Sequence, residues 1–168
     1  MFAPRAASAS FGKPDLYREM AAELHALLSG EADVVANLAN ASALIFDRLP
    51  DLNWAGFYRL RGETLVLGPF QGKPACVRIP VGQGVCGSAV ARRESIVVPD
   101  VHAFPGHIAC DSASNAELVV PLVHTDGSVF GVLDLDSQIQ ARFDADDQAG
   151  CEALAAIIVR HLTSAVPA

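Results

Sequence analysis

From Leu16 onward the apolar positions recur every three or four residues. Leu16, Met20, Leu24, Leu27 and Leu28 share one side of a helix of about 15 residues that starts at Pro14-Asp15 and ends at Gly30. A second stretch of the same period runs from Asp33 to Leu49, with Val34, Leu38, Ala41, Ile45 and Leu49 on one side, until Pro50 stops it. The period then drops to two. Trp54 to Leu60 and Thr64 to Phe70 read as strands joined by the polar turn Arg61-Gly62-Glu63, a hairpin. Ala75 to Pro80 reads as a short strand, Gly84 to Arg93 as a short helix after a glycine-rich turn, and Ser95 to Pro99 as extended chain. Val101 to Ala116 has no period and is expected to be a functional loop. A second hairpin, Glu117 to His124 and Ser128 to Asp136, turns at Thr125-Asp126-Gly127. The helix Asp144 to Thr163 follows, with acidic residues in its first turn favoured by the helix dipole.

Hairpins between helices grouped near both ends predict an α+β fold, an antiparallel sheet flanked by helices; a parallel sheet would need a helix between most strands. The 168 residues are expected to form a flexible extension over 1–13 and a single domain over 14–168. A net charge of -7 with no long run of Lys or Arg argues against a nucleic-acid or anionic-membrane surface. The apolar runs are far short of the ~18 residues of a membrane span. The first ten residues lack the apolar stretch of an export signal, so a cytoplasmic location is expected.

That compartment matters for the cysteines, because thiols there stay free unless they are catalytic or bind metal. Cys151 shares a helical face with Leu154 and Ile158 and is assigned to the core. Cys76, Cys86 and Cys110 instead sit in Gly- and Pro-rich or loop contexts. Together with His107 they offer four metal ligands, but the spacing matches no common zinc module, and no Cys-x-x-Cys redox motif is present. Thiol chemistry needs a thiolate. Cys86 would gain one from the start of the Gly84 helix, and Cys110 from His102 and His107 nearby in sequence. The residues alone do not rank them.

A second constellation is acidic. Asp134 and Asp136 point to one face of their strand while Leu133 and Leu135 point to the other, and Glu117 opens the partner strand. At a sheet edge such carboxylates would simply be solvated. In a pocket they would hold an amino group or crowd one another until one becomes a proton donor. Trp54 and Tyr58, four apart on a strand, share a face and would form core or an apolar wall around a ligand.

The segments Asn53-Trp54-Ala55-Gly56-Phe57-Tyr58, Gly68 to Cys76, Gly84-Val85-Cys86-Gly87, His107-Ile108-Ala109-Cys110-Asp111 and Asp134-Leu135-Asp136-Ser137 resemble the free methionine-(R)-sulfoxide reductases, single GAF-domain enzymes. The resemblance runs from about Pro14 onward. It implies a six-stranded antiparallel sheet between helices and reduction of free L-methionine (R)-S-oxide to methionine. It implies Cys110 as the nucleophile that becomes a sulfenic acid, Cys76 as the thiol that resolves it to a disulfide, and Cys86 as an auxiliary thiol. Glu117 and Asp136 become candidates to protonate the sulfoxide oxygen. Asp134 would orient the site or meet the substrate ammonium, and Trp54 and Tyr58 would pack on the S-methyl group. Backbone N–H groups around Cys86, Gly87 and Ser88 would receive the carboxylate. Turnover implies thioredoxin as external reductant and no metal or organic cofactor. A homodimer paired through helices is also expected. Two other classes compete: a GAF module that binds a small ligand and signals, which leaves three loop cysteines unexplained, and a thiol redox sensor that forms a disulfide without turnover.

Overall fold

The computed structural model describes residues 12–163. The expected N-terminal extension therefore lies, up to residue 11, outside the described residues. Helix α1 (Lys13–Leu28) buries Tyr17, Met20, Leu24 and Leu28. Helix α2 (Val34–Arg48) is started by Asp33, whose carboxylate accepts the Ala36 N–H at 2.8 Å. Helix α4 (Ala145–Thr163) is capped reciprocally: Asp144 accepts from the N–H groups of Asp146 and Asp147, while the Asp147 carboxylate accepts from the Asp144 N–H. Asp147 is fully buried. It also receives Lys13, Arg142 and the Tyr17 hydroxyl, which ties the starts of α1 and α4 together.

Between these helices lie β1 (Trp54–Arg61), β2 (Thr64–Gly72), β3 (Arg78–Pro80), the helix α3 (Gly84–Arg92), β4 (Ile96–Val98), β5 (Ala116–Val123) and β6 (Val129–Ser137). The six strands form one antiparallel sheet in the order β3-β2-β1-β6-β5-β4. The third strand is shorter than its sequence suggests, starting at Arg78 instead of Ala75. Val77, just before it, still accepts the Leu67 N–H of β2, and Cys76 next to that is in a disulfide with Cys110.

One face of the sheet packs on α1, α2 and α4 through Ala55, Phe57, Leu118, Val120, Leu133 and Leu135. Cys151 is wholly buried in this core, as its helical spacing predicts, 3.7 Å from the Tyr17 hydroxyl. The other face carries Trp54, Tyr58, Val119 and Val132 and is covered by α3 and its neighbouring loops. The acidic residues project from this second face.

Candidate active site

Strand register assembles the site. Trp54 on β1 lies opposite Asp136 on β6, which lies opposite Glu117 on β5, so the three make one row across the sheet. The next row is Gly56, Asp134 and Val119. Since β1, β6 and β5 are interior strands, these carboxylates are not at a solvated edge. Glu117 and Asp134 are buried and Asp136 is half-buried. Gly56 is a glycine because β2 packs against it there: a Cβ would strike Phe70.

Helix α3 delivers Cys86 onto this face. It approaches closely because Gly87 presents no side chain; a Cβ there would strike the Pro80 carbonyl oxygen. Gly84 starts the helix at φ +61°, and Ile108 from the Cys110 loop packs against it. The loop itself folds back over the sheet. Asp111 accepts from the Ala113 N–H, and Asn53 donates to Asp111 at 3.1 Å and to Ser114 at 3.0 Å. Cys110 is thereby held opposite Cys76, and the two form a disulfide with Cα atoms 5.3 Å apart. Beneath it is a narrow cavity of about 30 Å³, lined by Trp54, Tyr58, Cys86, His107, Glu117, Asp134 and Asp136 among others. That is room for water but not for an amino acid, so a ligand of that size needs the lining to open.

The aromatic wall is anchored at both ends. Trp54 stacks between Tyr58 and Phe70 and donates its indole N–H to the Lys73 carbonyl at 3.1 Å. The Tyr58 hydroxyl donates to the Cys76 carbonyl at 2.9 Å, linking the sheet to the Cys76 segment.

Burial dominates the electrostatics. It pushes the Glu117 carboxyl well above the ordinary range, and the negative Asp134 and Asp136 push it the same way. Glu117 thus keeps its proton and donates it to Asp134, whose own pKa is raised by burial to about 6 and held from rising further by hydrogen bonds from Cys86 and Glu117. Asp136 is raised well above its usual value by burial and by Asp134, against a bond from Ser114. Burial, reinforced by all three carboxylates, also lifts Cys86 well above an ordinary thiol. Its Sγ lies 3.9 Å from Glu117 Oε1. At the helix start the thiolate of Cys86 is therefore disfavoured, first by burial and then by the nearby acids. His107 is lowered, chiefly by burial and then by His102. It faces Glu117 Oε2 at 3.7 Å as a neutral imidazole beside a protonated acid, a polar contact and not an ion pair.

Of the residues singled out from the sequence, Cys76 and Cys110 meet in the disulfide. Cys86, Glu117, Asp134, Asp136, Trp54 and Tyr58 line the cavity with Cys110. Gly87 and Ser88 do not. The Gly87 N–H is already bonded to the Gln83 carbonyl, and the amides left free by helix geometry are those of Gly84, Val85 and Cys86. The Asn53 and Ser114 pair that holds the Cys110 loop was not foreseen. Asn53 stands in the segment beginning Asn53-Trp54, but its partners are about 60 residues away, beyond any local signal.

The whole arrangement has close counterparts. The GAF domain model matches residues 16–162. The free methionine-R-sulfoxide reductase of Escherichia coli is 53% identical over 152 residues, which span 90% of this chain and 92% of that protein. The X-ray structure of free methionine-R-sulfoxide reductase from Neisseria meningitidis in complex with its substrate is 42% identical and superimposes with a TM-score of 0.89, covering 95% of each chain. The reduced form of the Staphylococcus aureus fRMsr is 49% identical with a TM-score of 0.83, over 87% of this chain and 94% of that one. With its sequence and fold in agreement with these relatives, this chain belongs to the free methionine-R-sulfoxide reductases, a family of GAF-domain oxidoreductases.

Proposed function

We propose that this protein reduces free L-methionine (R)-S-oxide to L-methionine through the Cys110–Cys76 pair. The single observation that carries the reading is the placement of that disulfide over a cavity with an aromatic wall on one side and three carboxyls on its floor. The S-methyl group packs on Trp54 and Tyr58. The ammonium meets Asp134, the carboxyl most ready to ionise, and Asp136 beside it. The carboxylate takes the amides of Gly84, Val85 and Cys86. This leaves the sulfoxide oxygen facing Glu117, which holds a proton at neutral pH.

Cys110 attacks the sulfoxide sulfur while Glu117 protonates the oxygen. The S–O bond breaks, methionine leaves, and the oxygen passes to Cys110 as a sulfenic acid. The Cys76 thiol then condenses with it. One sulfur–sulfur bond forms and one water is released, giving the disulfide. A dithiol reductant of the thioredoxin class restores both thiols by exchange through a mixed disulfide. No metal or organic cofactor takes part in this cycle, and Cys86 serves as a neutral wall of the site. Cys110→Ser should abolish turnover of free methionine sulfoxide while leaving the circular dichroism spectrum and urea midpoint of the reduced protein unchanged. Retained turnover would remove Cys110 as the nucleophile.

A further inference from the structure

We infer that Cys86, Glu117 and Asp134 form a binding site for a thiophilic divalent cation of the zinc class, whose occupancy shuts the pocket to substrate. The cation site itself stands apart from the reductase reading; its effect on substrate rests on that reading. The three side chains are buried, and one ligand atom from each lies within 4.8 Å of the others. They come from three rigid elements: Cys86 from the first turn of α3, and Glu117 and Asp134 as diagonal neighbours on β5 and β6.

An independent observation also points to a missing ligand. Asp134 Oδ1 is buried at the cavity wall, and no hydrogen-bond donor reaches it, although Asp134 is only 6% exposed. An acceptor left in that state costs free energy until a donor or a cation arrives.

Distances fit a small tetrahedral ion. Zinc bonds of about 2.3 Å to sulfur and 2.0–2.2 Å to carboxylate oxygen set the S···O separation at about 3.6 Å. The Cys86 Sγ to Glu117 Oε1 distance is 3.9 Å, so that pair needs a few tenths of an ångström of closure, while the remaining separations, none above 4.8 Å, must close to similar lengths. Three protein ligands leave a fourth position to water, for which the cavity has room. Calcium and magnesium want six or more oxygens and gain nothing from a thiol, so the donor set selects a softer ion. The Cys76–Cys110 disulfide supplies no ligand, so the site exists in the oxidised protein as well. An ion there takes up the carboxylates that would meet the substrate ammonium and the acid that would protonate its oxygen.

Cobalt(II) titrated into the disulfide form of the whole protein, followed by absorption, tests this. One ion should bind per chain, with a sulfur-to-cobalt charge-transfer band and tetrahedral d–d bands, and zinc should erase both. Proton release should approach about two per ion, one from the Cys86 thiol and one from the proton that Glu117 shares with Asp134. Cys86→Ser should abolish the charge-transfer band and weaken binding at least about 100-fold, and Asp134→Asn should weaken it while keeping the band. Cys151→Ser, which alters the other free thiol, should change neither. No charge-transfer band in the wild type, or equal affinity in Cys86→Ser, overturns the proposal. A folded wild type that binds no cobalt yet reduces methionine sulfoxide would overturn the cation site alone and leave the reductase reading intact.

Discussion

The carboxyl cluster should cost the protein stability that a conservative substitution recovers, and Asp134→Asn measures the cost. Burial raises Asp134 from an ordinary 3.8 to about 6. A folded-state pKa above the unfolded one means that the native state holds the proton more tightly, so ionisation opposes folding. Below about pH 3.8 both states are protonated and the penalty is zero. It grows through the interval between the two values and is complete above about pH 6. At 1.36 kcal/mol per pKa unit the full penalty is about 3 kcal/mol. Asparagine keeps the shape and cannot ionise. The difference in unfolding free energy between variant and wild type should therefore swing by about 3 kcal/mol in the variant's favour between pH 3.5 and pH 7. Any constant offset from the altered hydrogen bonds cancels in this swing. Urea titrations of the disulfide form at a series of pH values, with m unchanged between the two proteins, give it directly. A difference that stays flat with pH, or moves against the variant as pH rises, would refute an Asp134 made costly by burial.

Two further predictions concern the acid and the helix that faces it. Glu117→Gln should lower kcat by about 100- to 1,000-fold with little change in KM, since proton donation rather than ground-state binding is lost. Wild-type activity should also decline as pH rises through the raised Glu117 pKa, a limb the variant lacks; a change confined to KM would place Glu117 in substrate binding. Gly87→Ala should destabilise the protein by about 1–3 kcal/mol, because the added methyl meets the Pro80 carbonyl and pushes α3 off the sheet. An unchanged urea midpoint would show that α3 has slack in this position.

Much of the fold was legible because its signals are local. Both hairpins, the helices and the Asp33 and Gly30 boundaries follow from period, turn residues and caps. What the sequence could not show is which strands sit side by side. Pairing β6 with β1 joins residues far apart in the chain, and it decides between the edge and pocket readings of the carboxylates by placing them on interior strands. The same pairing reverses the reading of Cys86. Its place in the first turn of a helix suggests a stabilised thiolate, but burial, and then the acids that β5 and β6 bring beneath it, push the thiol pKa up. The free amides are those of Gly84, Val85 and Cys86 and not of Gly87 and Ser88, because the Gly87 N–H is already bonded to the Gln83 carbonyl within a helix that starts at Gly84 as expected. The Trp54 and Tyr58 wall survived intact, since a two-residue period fixes a strand face whatever its neighbours.

The central claim is tested most directly by following NADPH consumption in the presence of thioredoxin and its reductase, with the R epimer of free L-methionine sulfoxide, the S epimer and a peptide-bound sulfoxide as alternative substrates. Membership of the free methionine-R-sulfoxide reductases and the Cys110–Cys76 pair predict turnover of the free R epimer alone. No turnover of any of the three by folded, fully reduced protein would contradict the account and leave a disulfide-forming sensor in its place.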